Sequence, residues 1–301
     1  MADFITYSFI GLAIGCIYAL IALGFAIIYK ASEVINFAQG ELLLVGAYVA
    51  SYAMYTWRLA FPLALLVAIA VTVAIGLLFE RFALRRMIGR PVFSIVMITI
   101  GLDVLLRTGV TVRLGATQFL NAATPFGSVS QVRLGGVVFN DIDITIIAAT
   151  LVCCAALFLF FNRTRYGLAM RATALDQEAA LAVGIDVRTV YAMAWGLAGA
   201  VAAIGGVLLA ARQGSGGFDV GLGQSALLAF PAIILGGLDS IPGAVVGGVL
   251  IGLTYGYASG YELRVSWLGA GFETVAPYLV MLVVLLVRPY GLFGSRKVER
   301  V

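Results

Sequence analysis

Nine long apolar runs, seven of them without a single charge, constrain this chain more than any other feature: Phe4–Tyr29, Leu42–Trp57, Leu59–Phe79, Pro91–Val112, Ile144–Asn162, Thr189–Ala211, Val220–Leu238, Gly243–Tyr261 and Gly271–Val287. A helix crosses the hydrocarbon core of a bilayer with about 20 apolar residues, and most of these runs reach that length. Composition closes the soluble alternative. The chain is 62% hydrophobic and only 11% charged, with a mean hydropathy of +1.06. A water-soluble domain is about half apolar and about a quarter charged, so this chain lacks the polar residues to cover a core. The expected fold is an all-α, polytopic membrane helix bundle, one transmembrane domain over residues 1–301, with nine spans and eight or ten also compatible.

Arginines orient the bundle. Arg81, Arg85, Arg86 and Arg90 crowd one connection, Arg163, Arg165, Arg171 and Arg188 a second, and Arg288, Arg296, Lys297 and Arg300 a third. Span counting puts all three on one side, the cytoplasmic side by the positive-inside rule. The polar stretch 114–143, with Arg133 against Asp141 and Asp143, then reads as a periplasmic loop. Met1-Ala2-Asp3 offers no basic start to a cleavable leader, so the first run is expected to stay as a membrane helix. The net charge of +4 comes from these clusters and forms no extended basic face for nucleic acid. Cys16, Cys153 and Cys154 sit inside apolar runs without metal-site or disulfide spacing. Histidine is absent, which removes the usual general base and metal ligand. An enzyme, a metal site and a bound cofactor are not expected.

Many of the 36 glycines fall at small-xxx-small spacing, as in Gly11/Gly15 and Gly243/Gly247/Gly248/Gly252. In lipid that spacing lets helix backbones approach closely. Half of this enrichment is ordinary for membrane helices. Gly11-Leu12-Ala13 followed by Phe37-Ala38-Gln39-Gly40-Glu41-Leu42-Leu43 is echoed by Gly196-Leu197-Ala198 followed by Val220 to Leu228. The echo hints at an inverted-topology repeat.

Four segments carry polar chemistry. Lys30–Gly46 brings Glu33, Asn36, Gln39 and Glu41 between two spans. It is either a solute-contacting discontinuity or a plain turn at the surface. Arg163–Arg188 places Leu168, Ala172, Leu175, Ala179 and Ala182 at helical spacing, with Arg171, Asp176 and Glu178 opposite. That pattern predicts one amphipathic helix lying on the membrane or entering a partner's groove. It contains Glu178-Ala179-Ala180 and, four residues on, Gly184, the start of the Glu-Ala-Ala-x-x-x-Gly pattern through which importer permeases touch their ATPase. Asp103 and Arg107, one turn apart near the outer end of a span, read as a structural ion pair, or alternatively as an ion relay. The glycine-rich run Ile234–Ala244 is a tight turn, and without G-x-x-x-x-G-K-[ST] it gives no phosphate loop.

The segments IYALIALGFAIIYK, INFAQGELLLVGAYV, FERFALRR, GRPVFSIVMITIGL, GLAMRATALDQEAALAVGID, FPAIILGGLDSIPGAVVGGVLIG and RPYGLFG follow one another along nearly the whole chain. Together they resemble the permeases of the branched-chain amino acid ABC transporter family, and more specifically the first, short-N-terminus permease of the pair. The resemblance implies a multi-pass subunit in the cell inner membrane. Its partners would be a second related permease, two cytoplasmic ATPase subunits and a periplasmic solute-binding protein. It places Arg171, Glu178, Ala179 and Gly184 in the ATPase-coupling segment, and Asn36, Phe37, Gln39, Glu41, Gln224 and Phe230 along the translocation pathway. Two departures stand out. Gln39 occupies a position where the family often has histidine, and the coupling segment lacks the longer ending of the general importer pattern. The expected cargo is leucine, isoleucine, valine or a similar small zwitterion; urea, a short amide or an aromatic acid is the alternative within the class. An ion-coupled secondary transporter using Glu41, Asp103 and Arg107 is the alternative outside it.

Overall fold

A computed structural model describes residues 2–87, 90–114, 120–125, 131–134, 137–213, 217–262 and 271–294. Each of the nine apolar runs is helical there. They form α1 (Ala2–Ser32), α2 (Gln39–Tyr55), α3 (Phe61–Phe82), α4 (Val92–Leu114), α5 (Asp141–Arg163), α8 (Val187–Arg212), α10 (Ile241–Tyr261) and α11 (Phe272–Val287), and the seventh is divided. A 3-10 segment covers Val220–Ala229 before the short α9 (Phe230–Gly236). Pro231 at the start of α9 has no N–H to give to a preceding turn, which separates the two. Among the described residues, six helices are long and apolar enough by length and composition to cross a membrane. Leu66, Leu151, Val152 and Leu286 point outward, as lipid-facing side chains do. The chain is a multi-pass membrane protein.

Local chemistry sets several ends. Asp141 and Asp143 fall in the first turn of α5, where the helix dipole favours negative charge. Ser240 caps α10 by accepting from the Gly243 N–H, ahead of Pro242. The 114–143 stretch is not wholly irregular: β1 (Gln131–Leu134) and β2 (Val137–Asn140) pair as an antiparallel hairpin leading directly into α5. Residues 115–119, 126–130 and 135–136 of the expected periplasmic loop, and Arg296, Lys297 and Arg300 of the third basic cluster, lie outside the described residues.

The chain forms two compact units. One comprises Met1–Ala26, Ser130–Thr150 and Leu227–Val301. In it α1 and α10 run antiparallel along two four-residue stripes: Gly248, Gly252, Gly256 and Gly260 meet Ala19, Gly15, Gly11 and Tyr7 respectively. A Cβ at any of these four α10 glycines would overlap the opposing residue. This contact is van der Waals packing of backbones, the form of helix association that lipid leaves available. The Phe25 and Phe230 rings pack at 4.8 Å between centroids. The RPYGLFG motif closes the end of α9, with the Leu292 and Phe293 N–H groups donating to the Leu235 and Gly236 carbonyls at 2.8 and 3.0 Å. Those carbonyls would otherwise be orphans of the helix end.

The other unit comprises Ile27–Val129 and Leu151–Ala226. Here α8 packs against both α2 and α3, again through glycine. Gly206 fits under the Leu43 carbonyl, Gly46 against Ala203, Gly199 against the Thr72 carbonyl and Gly76 against the Trp195 carbonyl. Trp195 is buried with Ile28, Ala38, Leu84, Leu102 and Ala198, and its ring stands 5.0 Å from that of Phe79. Glu80 is buried at the end of this layer. Arg85, from the basic cluster, folds back to hold it, with Nε at 2.8 Å from Oε1 and 3.1 Å from Oε2. A buried carboxylate needs such a partner.

Candidate functional sites

The first site is built on the turn between α1 and α2. Glu33 adopts φ +56, ending α1, and α2 begins six residues later at Gln39. This turn is not an exposed surface connection. Asn36, Gln39 and Glu41 are all buried, and each polar group has to be met inside the protein. The Asn36 side chain accepts from the Ala38 N–H at 3.1 Å, an Asx turn. Its amide also donates to Gln39 Oε1 at 3.4 Å. Gln39 Nε2 donates to the Ala198 carbonyl of α8 at 3.4 Å. The Phe37 N–H donates to Thr99 Oγ1 of α4 at 3.3 Å, while the Phe37 side chain is exposed. Asn36 and Gln39 are thus the struts that hold the first turn of α2 against α8.

Glu41 differs. Its residue is 2% exposed and its carboxylate lies against Gly223, where a Cβ would fall within 2.6 Å of Oε1. Gly40 in turn packs under the Gly223 carbonyl and against Ala226. The two segments matched as repeat halves, 37–43 and 220–228, therefore touch each other. Asp103 and Arg107 of α4 lie within electrostatic reach of Glu41. Asp103 sits at the middle of α4, not near an end. The expected Asp103–Arg107 ion pair does not form as the main contact. Gln224, with its amide oxygen turned to the guanidinium, accepts from Arg107 Nη1 and Nη2 at 3.1 and 2.7 Å. Both terminal guanidinium nitrogens thus converge on one amide oxygen. Phe230 belongs to the other unit, on Phe25.

Thr99, Asp103 and Arg107 fall four residues apart and make one polar stripe on α4. The stripe itself is readable from spacing. What spacing leaves open is that the stripe meets the start of α2 and the 3-10 segment, since the partners are distant in sequence.

The second site is the connection from α5 to α8. One amphipathic helix was expected over 168–182; two shorter ones form instead, α6 (Arg165–Leu175) and α7 (Gln177–Ala182). Asp176 breaks the run, because its side chain accepts from the Ala179 N–H and restarts the helix at 2.9 Å. Thr164 caps α6 and Asp186 caps α8 in the same way. The break also rotates the faces. Gly167, Met170 and Thr173 are the buried residues of α6, whereas Leu168 is exposed and Leu175 is 89% exposed. On α7, Ala180 is buried, while Glu178, Ala179 and Gly184 are exposed, as is Arg171 on α6. Arg171 Nη1 donates to Asn162 Oδ1 at 3.4 Å.

Gly184 has φ +86. The Gly184 N–H donates to the Leu181 carbonyl and the Ile185 N–H to the Ala180 carbonyl, each at 3.0 Å. These two bonds are the Schellman pair that closes a helix C-terminus. The glycine of the Glu-Ala-Ala-x-x-x-Gly pattern therefore serves backbone conformation, since a Cβ there would meet nothing within 4 Å. At the base of α8 the Asp186 carboxyl is held below the usual carboxylate range, first by the Thr189 hydroxyl hydrogen bond and then by the Arg188 backbone N–H. This connection thus ends α7 with Leu175, Leu181 and Val183 turned outward. A pocket of about 270 Å³ lies beside it, lined by Arg165, Tyr166, Met170, Ile185, Asp186 and Val190 among others.

A family model described as the permease component of the branched-chain amino acid transport system matches residues 7–287. The chain is 32% identical to the high-affinity branched-chain amino acid transport system permease protein BraD of Pseudomonas aeruginosa, over 97% of this chain and 96% of that protein. It is 30% identical to the high-affinity branched-chain amino acid transport system permease protein LivH of Escherichia coli K12, over 99% and 98%. A probable branched-chain amino acid transport permease protein, LivH of Methanocaldococcus jannaschii, is also 30% identical, over 91% and 88%.

Proposed function

The chain belongs to the permease-component family of branched-chain amino acid transport systems, and from that membership we propose that it is the membrane-spanning subunit of a binding-protein-dependent ABC importer. Its cargo is leucine, isoleucine, valine or a similar small zwitterion, delivered to the cytoplasm across the cell inner membrane. It works beside a second related permease, with two cytoplasmic ATPase subunits on one face and a periplasmic solute-binding protein on the other. ATP closes the ATPases, their motion is passed to the bundle through α7, and the pathway alternates between outward- and inward-facing states.

The observation that carries this reading is the geometry of α7. A short helix bearing Glu178 and Ala179 on its open side, flanked by exposed Leu175, Leu181 and Val183, is fixed at both ends by the Asp176 cap and the Gly184 turn. Exposed apolar side chains on a rigid element outside the spans suit a groove in a partner protein. The pathway reading rests on Asn36, Phe37, Gln39, Glu41 and Gln224, whose polar groups gather within one unit.

The test is co-purification. Tagged chain extracted from its native membrane in mild detergent should bring ATPase subunits and a second permease with it. Glu178→Arg together with Gly184→Arg should release the ATPases and leave the second permease bound. Recovery of the chain without any ATPase, under conditions that keep it active in vesicles, would sink the proposal.

A further inference from the structure

Asp103, at the middle of α4, and Arg107, a turn further on, are part-exposed, and Gln224 beside Arg107 is exposed. Hydrocarbon does not accept such groups at mid-span, so this face borders water or protein. Glu41 supplies a second, independent observation. It is almost fully buried, its carboxylate is held against Gly223 next to Gln224, and its Oε2 has no hydrogen-bond partner among the described residues. A buried carboxylate oxygen without a donor is costly. Arg107 does not meet that need, because its guanidinium is turned to Gln224.

The balance of charge points to what does. In their charged forms Glu41 and Asp103 carry two negative charges against one on Arg107, an excess of one negative charge. A ligand ammonium brings one positive charge and three donors, which neutralises the excess and satisfies Glu41 Oε2. A ligand carboxylate brings a planar acceptor that suits the Arg107 fork better than a neutral amide does. Gln224, neutral and exposed, is free to give way. A simple amine would leave Arg107 on Gln224, and a simple carboxylate would leave Glu41 unmet, so only a molecule with both groups uses the whole cluster.

We propose that Glu41, Asp103, Arg107 and Gln224 form a zwitterion subsite on the translocation path, with the two acids taking the α-ammonium and Arg107 taking the α-carboxylate in place of the Gln224 amide. This rests on the importer reading above and gives its pathway a chemistry.

The experiment is equilibrium binding of radiolabelled L-leucine to the complex purified from native membranes, without the solute-binding protein. The competitors are 3-methylbutylamine, which has only the ammonium, and 4-methylpentanoate, which has only the carboxylate. With the native chain, both should displace leucine. Glu41→Gln and Asp103→Asn should each weaken leucine binding about tenfold or more and abolish competition by the amine alone; Arg107→Gln should abolish competition by the carboxylate alone. Glu41→Asp keeps the charge and should retain amine competition, which serves if Glu41→Gln does not assemble. Variants that bind leucine within twofold of the native complex, or that lose both competitors together, overturn the subsite. So does a native complex that imports leucine with ATP yet binds none itself, an outcome that leaves the importer reading standing. Uptake indifferent to ATP removes the importer reading instead.

Discussion

Single residues in this chain divide into those whose role is backbone conformation and those whose role is charge. Gly184 is of the first kind: φ +86 with open space around the Cβ position. Gly184→Ala should therefore cost about 1 kcal/mol through left-handed strain alone. Gly184→Asn should cost less, because Asn tolerates that region. Thermal unfolding in detergent would rank the two, and equal losses would mean that packing, not φ, sets the cost. Arg85 is of the second kind. Its removal by Arg85→Ala leaves the buried Glu80 carboxylate without its cation. The expected loss, read as a lowered thermal midpoint in detergent, is smaller than for a fully buried pair because Arg85 is exposed. Glu80→Gln/Arg85→Ala should recover part of that loss. Sequence reading assigned Arg85 only to a basic cluster, since a salt bridge five residues long across a helix end has no periodic signature.

Elements show where local signals are decisive and where they fail. Helix identity was legible run by run, because apolar length and charge-free stretches are local properties. The amphipathic reading of 168–182 failed for an equally local reason: Asp176 can cap as well as continue, and here it caps. The α1–α10 contact shows the other case. Four-residue glycine spacing announced close approach, and the facing stripes of Gly11, Gly15, Gly252 and Gly256 realise it. Gly252→Val would push its branched side chain into the Gly15 backbone. Overpacking of this sort costs about 1–3 kcal/mol. Limited proteolysis of the detergent-solubilised chain should then open the α1–α10 unit before the α2–α3–α8 unit. Simultaneous cleavage of both would argue against that contact being local to its unit.

At the scale of the whole molecule, the prediction concerns energy source. Vesicles containing the assembled transporter should accumulate branched-chain amino acid only with ATP, and dissipating the ion gradients should change the initial rate less than twofold. Uptake that collapses with the gradient would favour the ion-coupled alternative, in which Glu41 and Asp103 exchange an ion. The sequence by itself determined that the chain crosses a membrane many times, where its apolar helices run, which family it resembles and which segment carries the Glu-Ala-Ala-x-x-x-Gly pattern. All of these depend on residues near one another along the chain. Only the tertiary structure decided that Val34, Asn36 and Ala38 in the turn at residues 33–38 are buried, that Arg107 binds Gln224 in preference to Asp103, and that Glu41 lies against Gly223. Those contacts join residue 107 to 224 and residue 41 to 223. No periodicity along a chain specifies which distant polar groups will meet; that follows from how the helices pack, with glycine at the crossings bringing the backbones together.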